Sequence, residues 1–220
     1  MRRINVVSSR PGSTFGTTKS MTAQDHVPVL REEVLAALLP EAARSSRPVI
    51  VDCTLGRGGH ASDLAAAAPG ARVIGFDLDE ANLSAAAQRL RDEGADVTPV
   101  HGSFLTAPRE LARLGCRADV VLADLGFSSN QMDEPSRGFS MQAEGPLDMR
   151  LDRRQPVTAA SLVATLGEAE LADLIRRYGE DPLATKIARI VVRERQIKPI
   201  ENTTQLARLV RIAYGARART

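Results

Sequence analysis

The sequence has no tryptophan, and aromatic residues make up only 3% of its 220 positions. Its core must therefore be packed mainly from Ala, Val and Leu. There are only two cysteines, Cys53 and Cys116, and neither has metal-ligand spacing. This excludes a cysteine-built metal site, and two thiols without a secretory signal point to a reducing, cytoplasmic setting. No apolar run approaches the length that crosses a bilayer. The arginines near the start (Arg2, Arg3, Arg10) are not followed by an apolar stretch, so they do not form a secretory signal.

What remains is an ordinary globular composition, with 43% hydrophobic and 25% charged residues. The formal net charge of +2 conceals an asymmetry. Residues 26–150 carry 12 Lys/Arg against 18 Asp/Glu, whereas residues 186–220 carry 9 against 2. An acidic first part and a basic final part suggest two partners, the second polyanionic, although a solvated helical face has the same composition. Residues 1–24 are rich in Ser, Thr and Gly and read as a disordered tail, with Met21 an alternative start.

The stretch Val49–His60, VIVDCTLGRGGH, organises the rest. A short buried strand (Val49–Val51) meets an acid, Asp52, and then a glycine turn opening into a helix over 61–68. Glycines let backbone N–H groups approach a ligand, and a helix N-terminus favours a polar or anionic group. A tight turn with no ligand also favours glycine, so the neighbours decide. Before this unit, a helix beginning after His26-Val-Pro-Val-Leu carries Val34, Leu35, Leu38 and Leu39 at helical spacing and is expected to stop at Pro40.

Strand two, Arg72–Asp77, ends 21 residues after Gly56. In a doubly wound sheet an acid there meets ribose hydroxyls, and a carboxylate suits two hydroxyl donors. Capping the next helix, Glu80–Glu93, is the other role open to Asp77, and Asp79 is also placed to cap it. Strand three, Asp96–Val100, leads to Phe104, which either lies against an adenine ring or joins the core. Strand four, Ala118–Asp124, is an apolar run of the buried parallel kind, ending in a carboxylate at the topological switch point.

Four β–α repeats therefore lie between Val49 and Asp124, with the candidate ligand groups at carboxyl ends of strands. The fold class is α/β, Rossmann-like, with parallel order 3-2-1-4. An S-adenosylmethionine-dependent methyltransferase and an NAD-type dehydrogenase both use such a unit. The loop is not G-x-G-x-x-G. His60 brings bulk toward a pyrophosphate, and Asp52 beside the loop suits a cationic, amino-bearing cofactor, which favours the methyltransferase.

At this point the motifs become specific. His26-Val-Pro-Val-Leu, Thr54-Leu-Gly-Arg-Gly-Gly-His60, Asp77-Leu-Asp, Gly102-Ser-Phe104, Asp124-Leu-Gly-Phe-Ser-Ser-Asn-Gln131, Ser136-Arg-Gly-Phe-Ser and Gly145-Pro-Leu-Asp-Met-Arg150 occur in this order. Together they resemble the RsmH (MraW) family of bacterial small-subunit rRNA methyltransferases, which make N4-methylcytidine. The resemblance implies a class I methyltransferase core with an all-helical insertion, S-adenosylmethionine as cofactor, and 16S rRNA in the 30S subunit as partner. It implies cofactor contacts at Gly58, Gly59, His60, Asp77, Phe104, Asp124 and Gln131. Cys53, Phe127 and Asn130 depart from the usual pattern without removing a contact. The family's late sheet-completing segments are not matched, so the chain reads as the N-terminal part of a member, with an incomplete sheet and strand four as an exposed edge. The expected division is a tail over 1–24, a core over 25–128, and a loop with a helical RNA-binding insertion over 129–220. A homodimer is compatible with this pattern, and an inactive RNA- or cofactor-binding fragment is a third reading.

From Thr158 the pattern is helical: Ala159–Leu166, a helix from Gly167 to Gly179, one starting at Asp181-Pro182, and Gln205–Tyr214 capped by Thr203 or Thr204. Lys186, Arg189, Arg193 and Arg195, with Arg208, Arg211, Arg217 and Arg219, form an expected footprint for rRNA phosphates. For the chemistry, the cytosine amine is a poor nucleophile. An acceptor for its N–H localises the lone pair as the methyl group approaches, and Asp124 and Asp148 are the two candidates. A sulfonium is already electrophilic, so no metal is required.

Overall fold

The computed structural model describes residues 28–215. The N-terminal tail, His26, Arg217 and Arg219 lie outside the described residues. The chain divides into two compact units, one ending at Leu125 and the other beginning at Gly126.

The first unit is a four-stranded, all-parallel sheet in the order β3-β2-β1-β4. Its strands are β1 (Val49–Asp52), β2 (Arg72–Asp77), β3 (Asp96–His101) and β4 (Val120–Leu122). The helices are α1 (Arg31–Ala42), α2 (Gly59–Ala67), α3 (Glu80–Asp92) and α4 (Ala107–Arg113). Strand residues alternate between the two faces. Ile50, Val73 and Val120 meet residues of α1–α3 such as Leu64, Leu83 and Leu90, whereas Val51, Ile74 and Phe76 meet Leu111 and Leu114 beyond the other face. Both faces are covered, which is why β1 and β2 read as near-continuous apolar runs.

Two expectations for the first unit are corrected. Pro40 does not stop α1, which runs on to Ala42. A proline inside a helix costs about 3 kcal/mol. Here Ala42, fully buried against Ile50 and Leu64, holds the last turn in place. Strand four is shorter than Ala118–Asp124. Its pairing ends at Leu122, opposite Asp52, because β1 turns away into the glycine loop there. Among the described residues β4 pairs only with β1, and Val121 is exposed.

The second unit contains α5 (Ser129–Asp133), α6 (Ala159–Thr165), α7 (Glu168–Gly179), α8 (Ala184–Arg195) and α9 (Thr203–Tyr214). Its core joins Val163, Leu171, Ile187, Val191 and Leu209 with Leu147 from the preceding loop. That Pro/Gly-rich loop is firmly packed. Leu147 N–H donates to the Glu201 carbonyl, and Thr203 N–H to the Gly145 carbonyl. A side chain at Gly145 would collide with the Pro135 carbonyl oxygen. The α9 cap is Asn202, one residue before the expected threonines. It closes a capping box with Gln205.

Candidate functional site

β1 leaves the sheet at Asp52, and the next four backbone N–H groups each find a different partner. Cys53 donates to the Leu122 carbonyl (2.8 Å), Thr54 to Asp52 Oδ1 (3.0 Å), Leu55 to the Phe76 carbonyl (2.8 Å) and Gly56 to Asp77 Oδ2 (2.7 Å). The loop is thus bonded to strands on both sides before any ligand is considered. Gly56 (φ +53°) and Gly58 (φ +80°) take left-handed conformations that suit glycine. Gly59 is required for another reason: a Cβ there would sit 2.6 Å from Pro28 Cγ. A Cβ at Gly58 would also press on Ala86, at 3.2 Å. These two predicted ligand glycines therefore serve packing as well. α2 begins at Gly59 without a side-chain cap, and half-buried His60 is its second residue.

The two acids after β2 have separate tasks. Asp79 caps α3, accepting from Ala81 and Asn82 N–H. Asp77 instead accepts from Gly56 N–H through one oxygen and from Asp79 N–H through the other (2.8 Å). A carboxylate has about four lone-pair sites, so capacity for hydroxyl donors remains. Burial raises the Asp77 pKa, backbone N–H bonds from Asp79, Gly56 and Leu78 offset part of this, and the Asp79 charge adds to the rise. Phe104 opens a 3₁₀ turn over 104–106, half-buried against the Val51, Ile74 and Phe76 cluster. Asp124 lies two residues past β4 with an exposed side chain, and its N–H donates to Thr54 Oγ1 at 2.8 Å.

Asp52, read from the sequence as suiting a cationic cofactor, is missing from the contact set that the family resemblance implies. It is only 2% exposed, and its carboxyl is pushed up to about 7. Burial is the main cause; the Thr54 N–H bond opposes it, and the charges of Asp77 and Asp124 reinforce it. The signal was present in the sequence, since an acid directly follows an apolar strand and precedes the glycine turn. Carboxylates at the ends of β1, β2 and past β4 make a site that favours a cationic group and disfavours a pyrophosphate.

Gln131 and Asp148 belong to the second unit. Gln131 is buried, and its Oε1 accepts the Ser128 N–H (3.0 Å) in a capping box that starts α5. The Ser128-x-x-Gln131 pattern signals this cap. Asp148 is gripped by Arg150 through both oxygens, each at 2.7 Å. That pair holds the Asp148 carboxyl below the usual carboxylate range. Among the basic residues, Lys186, Arg189 and Arg193 form one exposed stripe on α8. Arg189 pairs with Glu168 and Arg208 with Glu194. Arg195 does not join the exposed stripe. It is half-buried and donates to the Val163 carbonyl at 2.6 Å.

No described helix is long and apolar enough to cross a membrane. The profile of the MraW methylase family matches residues 23–220. Three curated relatives, each named ribosomal RNA small subunit methyltransferase H, align over most of the chain. The one from Sorangium cellulosum is 47% identical over 213 residues, covering 96% of this chain and 66% of its own length. The relative from Symbiobacterium thermophilum is 46% identical, covering 88% and 60%, and that from Thermobifida fusca is 44% identical, covering 90% and 60%. The chain thus spans no more than about two thirds of these relatives.

Proposed function

Because this chain belongs to the MraW methylase family, we propose that it serves S-adenosylmethionine-dependent methylation of a cytidine N4 amine in 16S rRNA of the 30S subunit, in the cytoplasm. The observation that carries the reading is the loop after β1, bonded to both neighbouring strand ends and flanked by carboxylates. Burial, reinforced by the Asp77 and Asp124 charges, raises the Asp52 pKa, and a cationic sulfonium or ammonium nearby would offset both effects. The same charges argue against a dinucleotide and hence against a dehydrogenase.

Gly58, Gly59 and His60 at the start of α2, Asp77, Phe104 and Asp124 would hold the cofactor. When bound, S-adenosylmethionine supplies an activated methyl group. The protein's own contribution is placement. Asp77 would accept the ribose hydroxyls, and Phe104 would offer its ring to the base. Asp124, exposed past β4, would accept an N–H of the incoming amine and so orient the nitrogen lone pair for transfer. We assign the acceptor to Asp124 rather than Asp148, because the Asp148 charge is already neutralised by a bidentate Arg150 guanidinium, with the Arg150 backbone N–H as a third donor, which leaves it a weaker acceptor. The exposed α8 stripe of the second unit is the phosphate footprint, and the base must leave its stack to react.

The test is calorimetric titration with S-adenosylmethionine and NAD, followed by methyl transfer to 30S particles. Binding of the first alone, with N4-methylcytidine formed and transfer lost in Asp124→Ala, supports the reading. NAD binding rejects it, and cofactor binding without transfer by the parent chain leaves a binding fragment.

A further inference from the structure

We propose that Thr54 is a positioning residue: its hydroxyl ties the loop that holds the methyl donor to the main chain of Asp124, so that one element sets both reacting partners. This deepens the methyltransferase reading and rests on it.

The link is visible in how the sheet ends. The β1–β4 ladder closes at Asp52 opposite Leu122, with one more bond from Cys53 N–H to the Leu122 carbonyl. Asp124 lies beyond that point and is no longer part of a strand. Its N–H is held instead by Thr54 Oγ1 at 2.8 Å, a contact between residues 70 positions apart. Thr54 is itself fixed, since its N–H donates to Asp52 Oδ1 at 3.0 Å and Asp52 is almost fully buried. A chain of hydrogen bonds therefore runs from a buried carboxyl at the end of β1, through one side chain, to the backbone that carries an exposed carboxylate. The next two residues, Leu125 and Gly126, are exposed, and Gly126 has φ +147°, so the chain directly past Asp124 has little packing to fix it. In-line transfer tolerates little misplacement, and a shift of about 1 Å can cost on the order of a hundredfold in rate. A hydroxyl that holds the acceptor's backbone should act on rate more than on cofactor binding.

The 220-residue chain, Thr54→Val and Thr54→Ser give the test, with three readouts: S-adenosylmethionine affinity by calorimetry, single-turnover methyl transfer to 30S particles, and hydrogen exchange at the Asp124 amide. Thr54→Val should leave affinity within about threefold, slow transfer by about tenfold or more, and speed Asp124 exchange by about tenfold. Thr54→Ser should restore all three. Unchanged exchange at Asp124 in a cofactor-binding Thr54→Val chain overturns the link whatever the activity. Equal loss of affinity and rate together with a lowered melting temperature also overturns it, because that pattern is merely structural. A parent chain that binds no S-adenosylmethionine overturns the functional reading and the proposal with it.

Discussion

Asp77 accepts the backbone N–H of Gly56 at 2.7 Å, joining the end of β2 to the glycine turn after β1. The same carboxylate is the proposed ribose acceptor, so the turn and the cofactor share one anchor. Asp77→Ala should therefore weaken S-adenosylmethionine binding by more than a ribose contact alone explains. Loss of hydrogen bonds to a charged group costs about 1.5–3 kcal/mol each, or roughly ten- to a hundredfold in Kd per bond. Calorimetric titration measures this, and an affinity within threefold of the parent contradicts the assignment.

Asp52 makes stability depend on pH. Its folded-state pKa of about 7 lies above the usual carboxyl value, so the folded protein holds this proton more tightly than the unfolded chain. Its contribution is full below about pH 4 and is lost as pH rises through about 7, amounting to up to about 4 kcal/mol. Asp52→Asn mimics the neutral acid and should flatten the decline. Urea unfolding from pH 5 to 8 should give curves that diverge upward in pH, with the variant more stable at pH 8.

Gly59 faces Pro28, not open space. Gly59→Ala should destabilise the first unit by about 1–3 kcal/mol through overpacking. Pro28→Ala in the same chain should recover part of that loss, and a double-mutant cycle of melting free energies reads the coupling. Additive effects would show that the contact does not set the requirement for glycine.

The basic stripe of α8 separates residues by their existing partners. Lys186→Ala with Arg193→Ala should lower the salt slope of rRNA binding by about 1.5, because each phosphate contact contributes roughly 0.7–0.9. Arg195→Ala should leave that slope unchanged and lower stability instead, because Arg195 is bonded to the Val163 carbonyl. Filter binding across salt concentrations distinguishes the two.

The parallel order of the sheet and the strand-end position of Asp77 were legible in the sequence, because apolar runs alternating with helical spacing leave few topologies, whereas Asp124, read as the end of strand four, lies two residues past it. Residues that act through distant partners were harder to read. Thr54 meets Asp124 across 70 positions, and Pro28 covers Gly59 from an earlier segment; neither contact has a periodic signature. Pro40 misled for a related reason, since the burial of Ala42 outweighs a local helix-breaking preference. Arg195 looked like its exposed neighbours because composition does not reveal which carbonyl a guanidinium reaches.

The bonds that shape the turn after β1 also impose an order on its assembly. The Gly56–Asp77 bond closes 21 residues of chain and the Thr54–Asp124 bond closes 70. Such non-local contacts form late, once the strands they join are in place. As the chain emerges from N- to C-terminus, the pocket stays unfinished until Asp124 has been made and β4 has docked beside β1. On the proposed reading, a growing chain would therefore not capture the methyl donor in a half-built sheet, and ligand capture would report that this part of the protein has finished folding.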